Sequence, residues 1–187
     1  MKKSLGGHTF LPTTPVLLVG TYDQDGKPNL MTAAWGGICC SKPPCFAVSL
    51  RKATYSYSAI MERKAFTIGL PSETQLKEAD YIGIASGRKA DKFAETHFTP
   101  VKSELVDAPY AGEVPFVLEC KLLHSFELGL HTLFVGEIMD VKADAEVLAE
   151  DGLPDIAKIK PFIFDSVHQG YHGIGSFLGK AFSVGKK

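Results

Sequence analysis

A chain of 187 residues in which 20 Lys and Arg meet 21 Asp and Glu, for a net charge of -1, has no electrostatic footprint for nucleic acid or an anionic membrane. With 45% hydrophobic and 22% charged residues it is neither disordered nor fibrous, and its length suits a single domain spanning residues 1–187. No apolar run reaches the roughly 20 residues of a spanning helix, and Met1-Lys2-Lys3 has no apolar core behind it, so no membrane contact and a cytoplasmic location are expected.

After an irregular lead-in, Val16 to Tyr22 is short and rich in β-formers, which predicts a strand. Asp25-Gly26 is a hairpin signal, so residues 28–36 are expected to return antiparallel to it. That returning stretch, Pro28-Asn29-Leu30-Met31-Thr32-Ala33-Ala34-Trp35-Gly36-Gly37, breaks the alternation of a half-buried strand. Apolar residues fall on both faces, small residues at Thr32, Ala33 and Ala34 would let a flat group approach, and Asn29, Thr32 and Trp35 add amide, hydroxyl and indole. It reads as one wall of a ligand site.

A third strand is expected from Cys45 to Arg51, then a helix from Ala53 to about Lys64 with Thr54 as N-cap, and a strand from Ala65 to Leu70. Ser72 is placed to cap a second helix running through Leu76, Ala79 and Ile82. Residues 85–93 read as a loop entering a short helix, and residues 99–112 as strand pieces interrupted by Pro100 and Pro109. Two long strands, Val114 to Glu127 and His131 to Ala143, meet at the turn Leu128-Gly129-Leu130. A helical turn around Val147, a short strand from Phe162 to Asp165 and a glycine-rich tail from Gly170 to Lys187 complete the chain. The sum is a mainly β fold, an antiparallel barrel of six or seven strands with two or three inserted helices.

Cys39, Cys40, Cys45 and Cys120 lack zinc-site spacing and read as small buried hydrophobes, with a redox role for the first three as the alternative. His168 and His172 are four apart but have no acidic or cysteine partner nearby, so no metal site is expected. There is no Walker loop, no nucleophile elbow and no complete dinucleotide-binding turn, and no side chain is assigned as a catalytic nucleophile. Two elements instead place cations and hydroxyls ahead of helices, Ser49 to Ser56 and Ser86 to Lys92. Free N–H groups at a helix start favour a phosphate.

Thr32-Ala33-Ala34-Trp35, Pro44 to Arg51 with Thr54-Tyr55, Ser86-Gly87 with Asp91-Lys92-Phe93, and His131 to Glu137 together resemble the flavin reductase-like, FMN-binding split-barrel family. Trp35-Gly36-Gly37-Ile38-Cys39-Cys40 is similar to the flavoredoxin branch of that family, FMN proteins of anaerobic electron transfer. The resemblance implies a split β-barrel, a homodimer and non-covalent FMN. By position it implies that the Asn29 amide and the backbone of Met31, Thr32 and Ala33 meet the isoalloxazine edge, with Trp35 beside the ring or ribityl chain. Ser49, Leu50, Arg51, Thr54, Ser56 and Ser86 would serve the ribityl and phosphate end, with Lys92 as phosphate cation. His131 and Phe164 would close the ring site, from the same subunit or across the dimer. The implied function is passage of electrons from a reduced donor, NADH, NADPH or a redox protein, to a flavin, metal or protein acceptor. The alternative is a flavin-binding or sensing module without turnover.

Overall fold

A computed structural model describes residues 1–186. A two-residue strand, β1 (Thr14–Pro15), leads into β2 (Leu17–Tyr22), and the Asp23–Lys27 turn returns the chain as β3 (Pro28–Ala33). Asp23 builds that turn: its carboxylate accepts from the N–H groups of Asp25 and Lys27 at 2.9 and 2.8 Å. β4 (Gly36–Ser41) and β5 (Pro44–Arg51) form a second hairpin, followed by α1 (Tyr55–Arg63) and β6 (Ala65–Gly69). α2 (Leu76–Ile84) and α3 (Lys92–Thr96) come next, then the short pair β7 (Pro100–Lys102) and β8 (Pro109–Ala111). The long hairpin β9 (Phe116–Leu128) and β10 (His131–Ala143) turns on Gly129, whose φ of +61° favours glycine. A short α4 (Ile156–Ile159) precedes β11 (Phe162–Asp165) and β12 (Gly170–Gly173).

Seven strands make one antiparallel sheet in the order β3-β2-β6-β9-β10-β5-β4. The chain passes from one edge strand, β3, through Ala34-Trp35 directly into the other, β4, which brings the two edges of the curled sheet together. The Ser49 N–H donates to the Trp35 carbonyl at 2.8 Å and extends the β4–β5 ladder. The edges do not pair as strands, which makes the barrel a split one. Its interior is filled by every second residue of its strands, such as Leu17, Val19, Val48, Phe66 and Phe134, with Ile60 of α1 reaching in. Each such side chain contributes roughly 1.5–3 kcal/mol by leaving water. The outer face of β2 and β3 buries Leu18 and Leu30 against Ala79 and Ile82 of α2, Phe93 of α3 and Phe162 of β11. No helix among the described residues is long and apolar enough to cross a membrane.

Four local expectations change. The stretch expected as one strand over 28–36 ends at Ala33, and after Ala34-Trp35 the chain enters β4. Glycine and cysteine pairs carry little β signal, and the bulge between Ile38 and Cys40 breaks the alternation that would have marked β4. Thr54 stands at the N-cap of α1, but its hydroxyl donates to the Arg51 carbonyl at 2.8 Å and caps no helical N–H. Ser72 does cap, reciprocally with Gln75, yet the first turn it starts is a 3-10 turn before α2. The glycine-rich tail is paired over its first residues, Gly170 to Gly173, against β11.

Candidate functional site

A cleft of about 170 Å³ lies between β3, the first turn of α1 and the loop from α2 to α3. Asn29 joins two of these walls: its side-chain nitrogen donates to the Ser56 hydroxyl at 3.0 Å, and both residues are buried. The loop closes over this pair at Gly87. A Cβ there would overlap the Asn29 amide oxygen and the Tyr55 ring, so only glycine lets the loop come this close.

With the Thr54 hydroxyl spent on Arg51, no side chain caps α1, and Tyr55 and Ser56 at its start line the cleft. Unpaired N–H groups and the positive end of the helix dipole therefore meet there. Arg88 and Lys92 add charge, and no carboxylate lines the cleft. The two cations differ in freedom. Arg88 is exposed, holds the Ala53 carbonyl through Nη1 at 3.1 Å, and lies 5.6 Å from the Tyr55 ring centroid. Lys92 is 5% exposed, and its Nζ donates to the carbonyls of Leu30 and Ile82 at 2.9 and 2.8 Å, so it ties α3 to β3 and α2. Burial pulls its pKa down to about 8. Tyr55 in turn donates to Asp23 Oδ2 at 2.7 Å. Burial alone would raise the Asp23 pKa, but the Tyr55 hydroxyl and the Lys27 and Asp25 amides outweigh it and hold it below the usual range.

Of the residues expected from sequence, Asn29, Met31, Thr32 and Thr54 line this cleft, as do Ser56, Ser86 and Lys92. The Thr32 hydroxyl is directed to the Ala79 carbonyl of α2 at 2.5 Å. A second group gathers beyond the barrel seam. The rings of Trp35 and His131 lie 4.8 Å apart, and His131 stands opposite Arg51, with Ser49 and Leu50 opposite Leu133 and Thr132. Leu50 is a barrel-core residue and Ala33 is buried beside it in the same core. Phe164 sits apart on β11, its ring 5.6 Å from Tyr171, whose hydroxyl bonds Asp80 of α2. Sequence reasoning passed over Tyr55, Gly87 and Arg88 as site residues. All three lay inside the two cation–hydroxyl elements, but which cation was buried could not be read from spacing.

The thiols form a third feature. Cys40 faces Cys45 across the β4–β5 hairpin, Cys39 and Cys40 are exposed, and all four cysteines are free. Burial raises the pKa of Cys45 and Cys120, and partial desolvation with Cys40 beside it raises that of the more exposed Cys39, so these are thiols and not thiolates at neutral pH. His168 pairs with Asp165 at 2.7 Å, and among the described residues no group of three His, Cys, Asp or Glu is placed to hold a metal ion.

With this geometry in view, residues 11–164 match the model of the flavin reductase like domain. The structure is similar to that of flavoredoxin of Desulfovibrio vulgaris (Miyazaki F), at 59% identity, TM-score 0.95 and full coverage of both chains. A ferric-chelate reductase (NAD(P)H) of Archaeoglobus fulgidus is 34% identical over 71% of this chain and 79% of its own length. The high molecular weight rubredoxin of Moorella thermoacetica is 28% identical over 79% of this chain, which spans 58% of that protein.

Proposed function

The chain belongs to the flavin reductase-like family, and from that premise we propose that it is an FMN-dependent redox protein that takes electrons from a reduced donor and passes them on. The observation that carries the reading is the cleft at the start of α1. Unpaired N–H groups, hydroxyls, two cations and no carboxylate are the donor set of a phosphate site, and Gly87 lets the loop that carries Ser86 and Arg88 close against Asn29 and Tyr55. At about 170 Å³ the cleft is smaller than the ~300 Å³ and upward of whole-ligand pockets. It suits the phosphate and ribityl end and leaves the ring to the open edge at Trp35 and His131.

In this reading Arg88, Ser86, Ser56 and the first turn of α1 hold the phosphate, and Lys92 supplies positive field from the floor. Asn29, bonded to Ser56, frames the ribityl end of the cleft, and the backbone of Met31, Thr32 and Ala33, leading from it towards Trp35, presents hydrogen-bonding groups to the polar edge of the ring. Ser49, Arg51 and Thr54 lie along the ribityl path. Trp35 and His131 flank the ring and limit water. FMN, when bound, supplies the redox chemistry, so no protein nucleophile is required. Phe164 stands beside Tyr171 and lines no part of the cleft, so it meets a ring only from another subunit.

We further read the protein as a cytoplasmic homodimer. Phe126, Leu128 and Leu130 at the tip of the β9–β10 hairpin are 52%, 58% and 63% exposed, and Ile38 on the edge strand β4 is 66% exposed. That apolar surface asks for a cover. The donor is NADH, NADPH or a small redox protein, and the rubredoxin relative supports the last as partner. Anaerobic titration of the FMN-loaded protein with NADH, NADPH and reduced rubredoxin tests the proposal. Bleaching of the flavin followed by reoxidation on adding an acceptor is expected. A flavin that binds but is reduced by none of the three would leave a sensing module, and failure to bind FMN would end the reading.

A further inference from the structure

A second cleft, of about 200 Å³, lies against the outer side of α1, where Ser58, Ala59 and Glu62 face the Asp23-Gln24 turn. It shares two residues with the first cleft, Tyr55 and Arg88. The geometry points to a partition: Arg88 and Tyr55 form the wall that ends the site at a phosphate monoester, and so make this chain select FMN over the longer dinucleotide FAD. The inference rests on the flavin reading above and adds its specificity determinant.

The wall is anchored on both sides. The Arg88 guanidinium lies 5.6 Å from the Tyr55 ring centroid and holds the Ala53 carbonyl at 3.1 Å, which pins the loop to the start of α1. The Tyr55 hydroxyl is fixed by Asp23 at 2.7 Å. The two clefts also differ in charge. The first has two cations and no carboxylate, whereas the second has Asp23 and Glu62, with Arg88 as its cation. A monoester fills the first and stops at Arg88. FAD would have to carry its second phosphate and adenosine through the space the guanidinium and ring occupy, and then place them beside two carboxylates. The exclusion is therefore steric at the wall and electrostatic behind it.

Titrating the apoprotein with FMN, FAD and riboflavin, followed by flavin fluorescence, tests this in the wild type, Arg88→Ala, Glu62→Gln and the double variant. The wild type is expected to prefer FMN over FAD by about tenfold or more, the scale of one charge-assisted contact. Arg88→Ala should weaken FMN about tenfold while FAD is unchanged or tighter, so that the preference collapses towards one. Glu62→Gln alone leaves the preference intact because the wall still stands, and in the Arg88→Ala background it favours FAD further. Arg88 is exposed, and an unchanged melting temperature confirms that the variant folds. Wild-type affinities for FMN and FAD within about twofold, or equal losses of both in Arg88→Ala, overturn the inference while leaving the flavin reading standing. No binding of any flavin by the wild type overturns both.

Discussion

The two ends of the proposed site are built differently. The end at α1 is finished within one chain: Asn29 and Ser56 are buried and bonded to each other, Gly87 closes over them, and Lys92 ties three elements beneath. The end at the seam is open, with Trp35 39% exposed and resting on His131, and the hairpin tip that follows from His131 bare as well. A phosphate needs a fixed set of donors, which a monomer can preorganise. A redox ring needs access for donor and acceptor, and an edge left unfinished by one chain supplies it. The contrast predicts that substitutions of the buried residues at the first end damage folding as well as phosphate recognition, and that those at the second change ring binding alone.

The largest effect is expected for Lys92→Met. It leaves the Leu30 and Ile82 carbonyls without their charged donor in a buried place, at roughly 1–3 kcal/mol for each unsatisfied group. A stability loss of about 3 kcal/mol by urea denaturation is expected. A loss under about 1 kcal/mol would mean that the finished end does not depend on its floor. Gly87→Ala comes next. The added methyl must displace the Asn29 amide or the Tyr55 ring, and overpacking on the scale of 1–3 kcal/mol corresponds to roughly ten- to hundredfold weaker FMN. Unchanged FMN affinity in a folded Gly87→Ala protein would show that the ligand does not use this cleft.

A smaller effect separates the two cations by pH. Lys92 has a pKa of about 8 in the free protein, so its charge is present below that pH and lost above it, whereas Arg88 stays charged throughout. The phosphate of FMN, with a second pKa of about 6, is almost fully ionised as pH approaches 8, so its own charge is nearly constant there. The preference for FMN over riboflavin should therefore fall about threefold as pH rises through 8, and stay flat in Lys92→Met, a modest change because the guanidinium carries the contact. A flat profile in the wild type would assign the whole phosphate recognition to Arg88 and the helix start.

Much of this contrast was legible before any coordinates. The hairpin signal at Asp25-Gly26, the β-forming run from Val16 to Tyr22 and the cations ahead of α1 all act over a few residues, and such local chemistry survives folding. His131 to Ala143 was bounded as the structure has it because its run of β-formers follows directly on the Leu128-Gly129-Leu130 turn. The α1 cleft was legible as chemistry, in the Ser49–Ser56 and Ser86–Lys92 elements, but not as geometry. Whether Arg88 or Lys92 stays free depends on what α2 and α3 cover, a long-range outcome of packing. Thr54 shows the same limit: its position at the cap was readable, but the competing Arg51 carbonyl was not. β4 was missed because its stability comes from pairing with β5 and not from its own residues.

Trp35 is where the smallest effect is expected and where the comparison is most exposed. An indole in a core costs roughly 3–5 kcal/mol when truncated. Trp35 is 39% exposed and its ring contact is with His131, a half-buried residue of the open edge. Trp35→Ala should thus change unfolding free energy by no more than about 0.5 kcal/mol. Its effect on ligand should be equal for FMN and riboflavin, a loss of about fivefold in each, because an aromatic neighbour worth about 1 kcal/mol acts on the ring and not on the phosphate. Arg88→Ala should do the opposite and spare riboflavin. If Trp35→Ala weakened FMN and spared riboflavin, the two ends would have been assigned in reverse, and the seam would hold the phosphate. Equal losses place the ring at the unfinished edge, where a second chain or an electron-transfer partner can reach it.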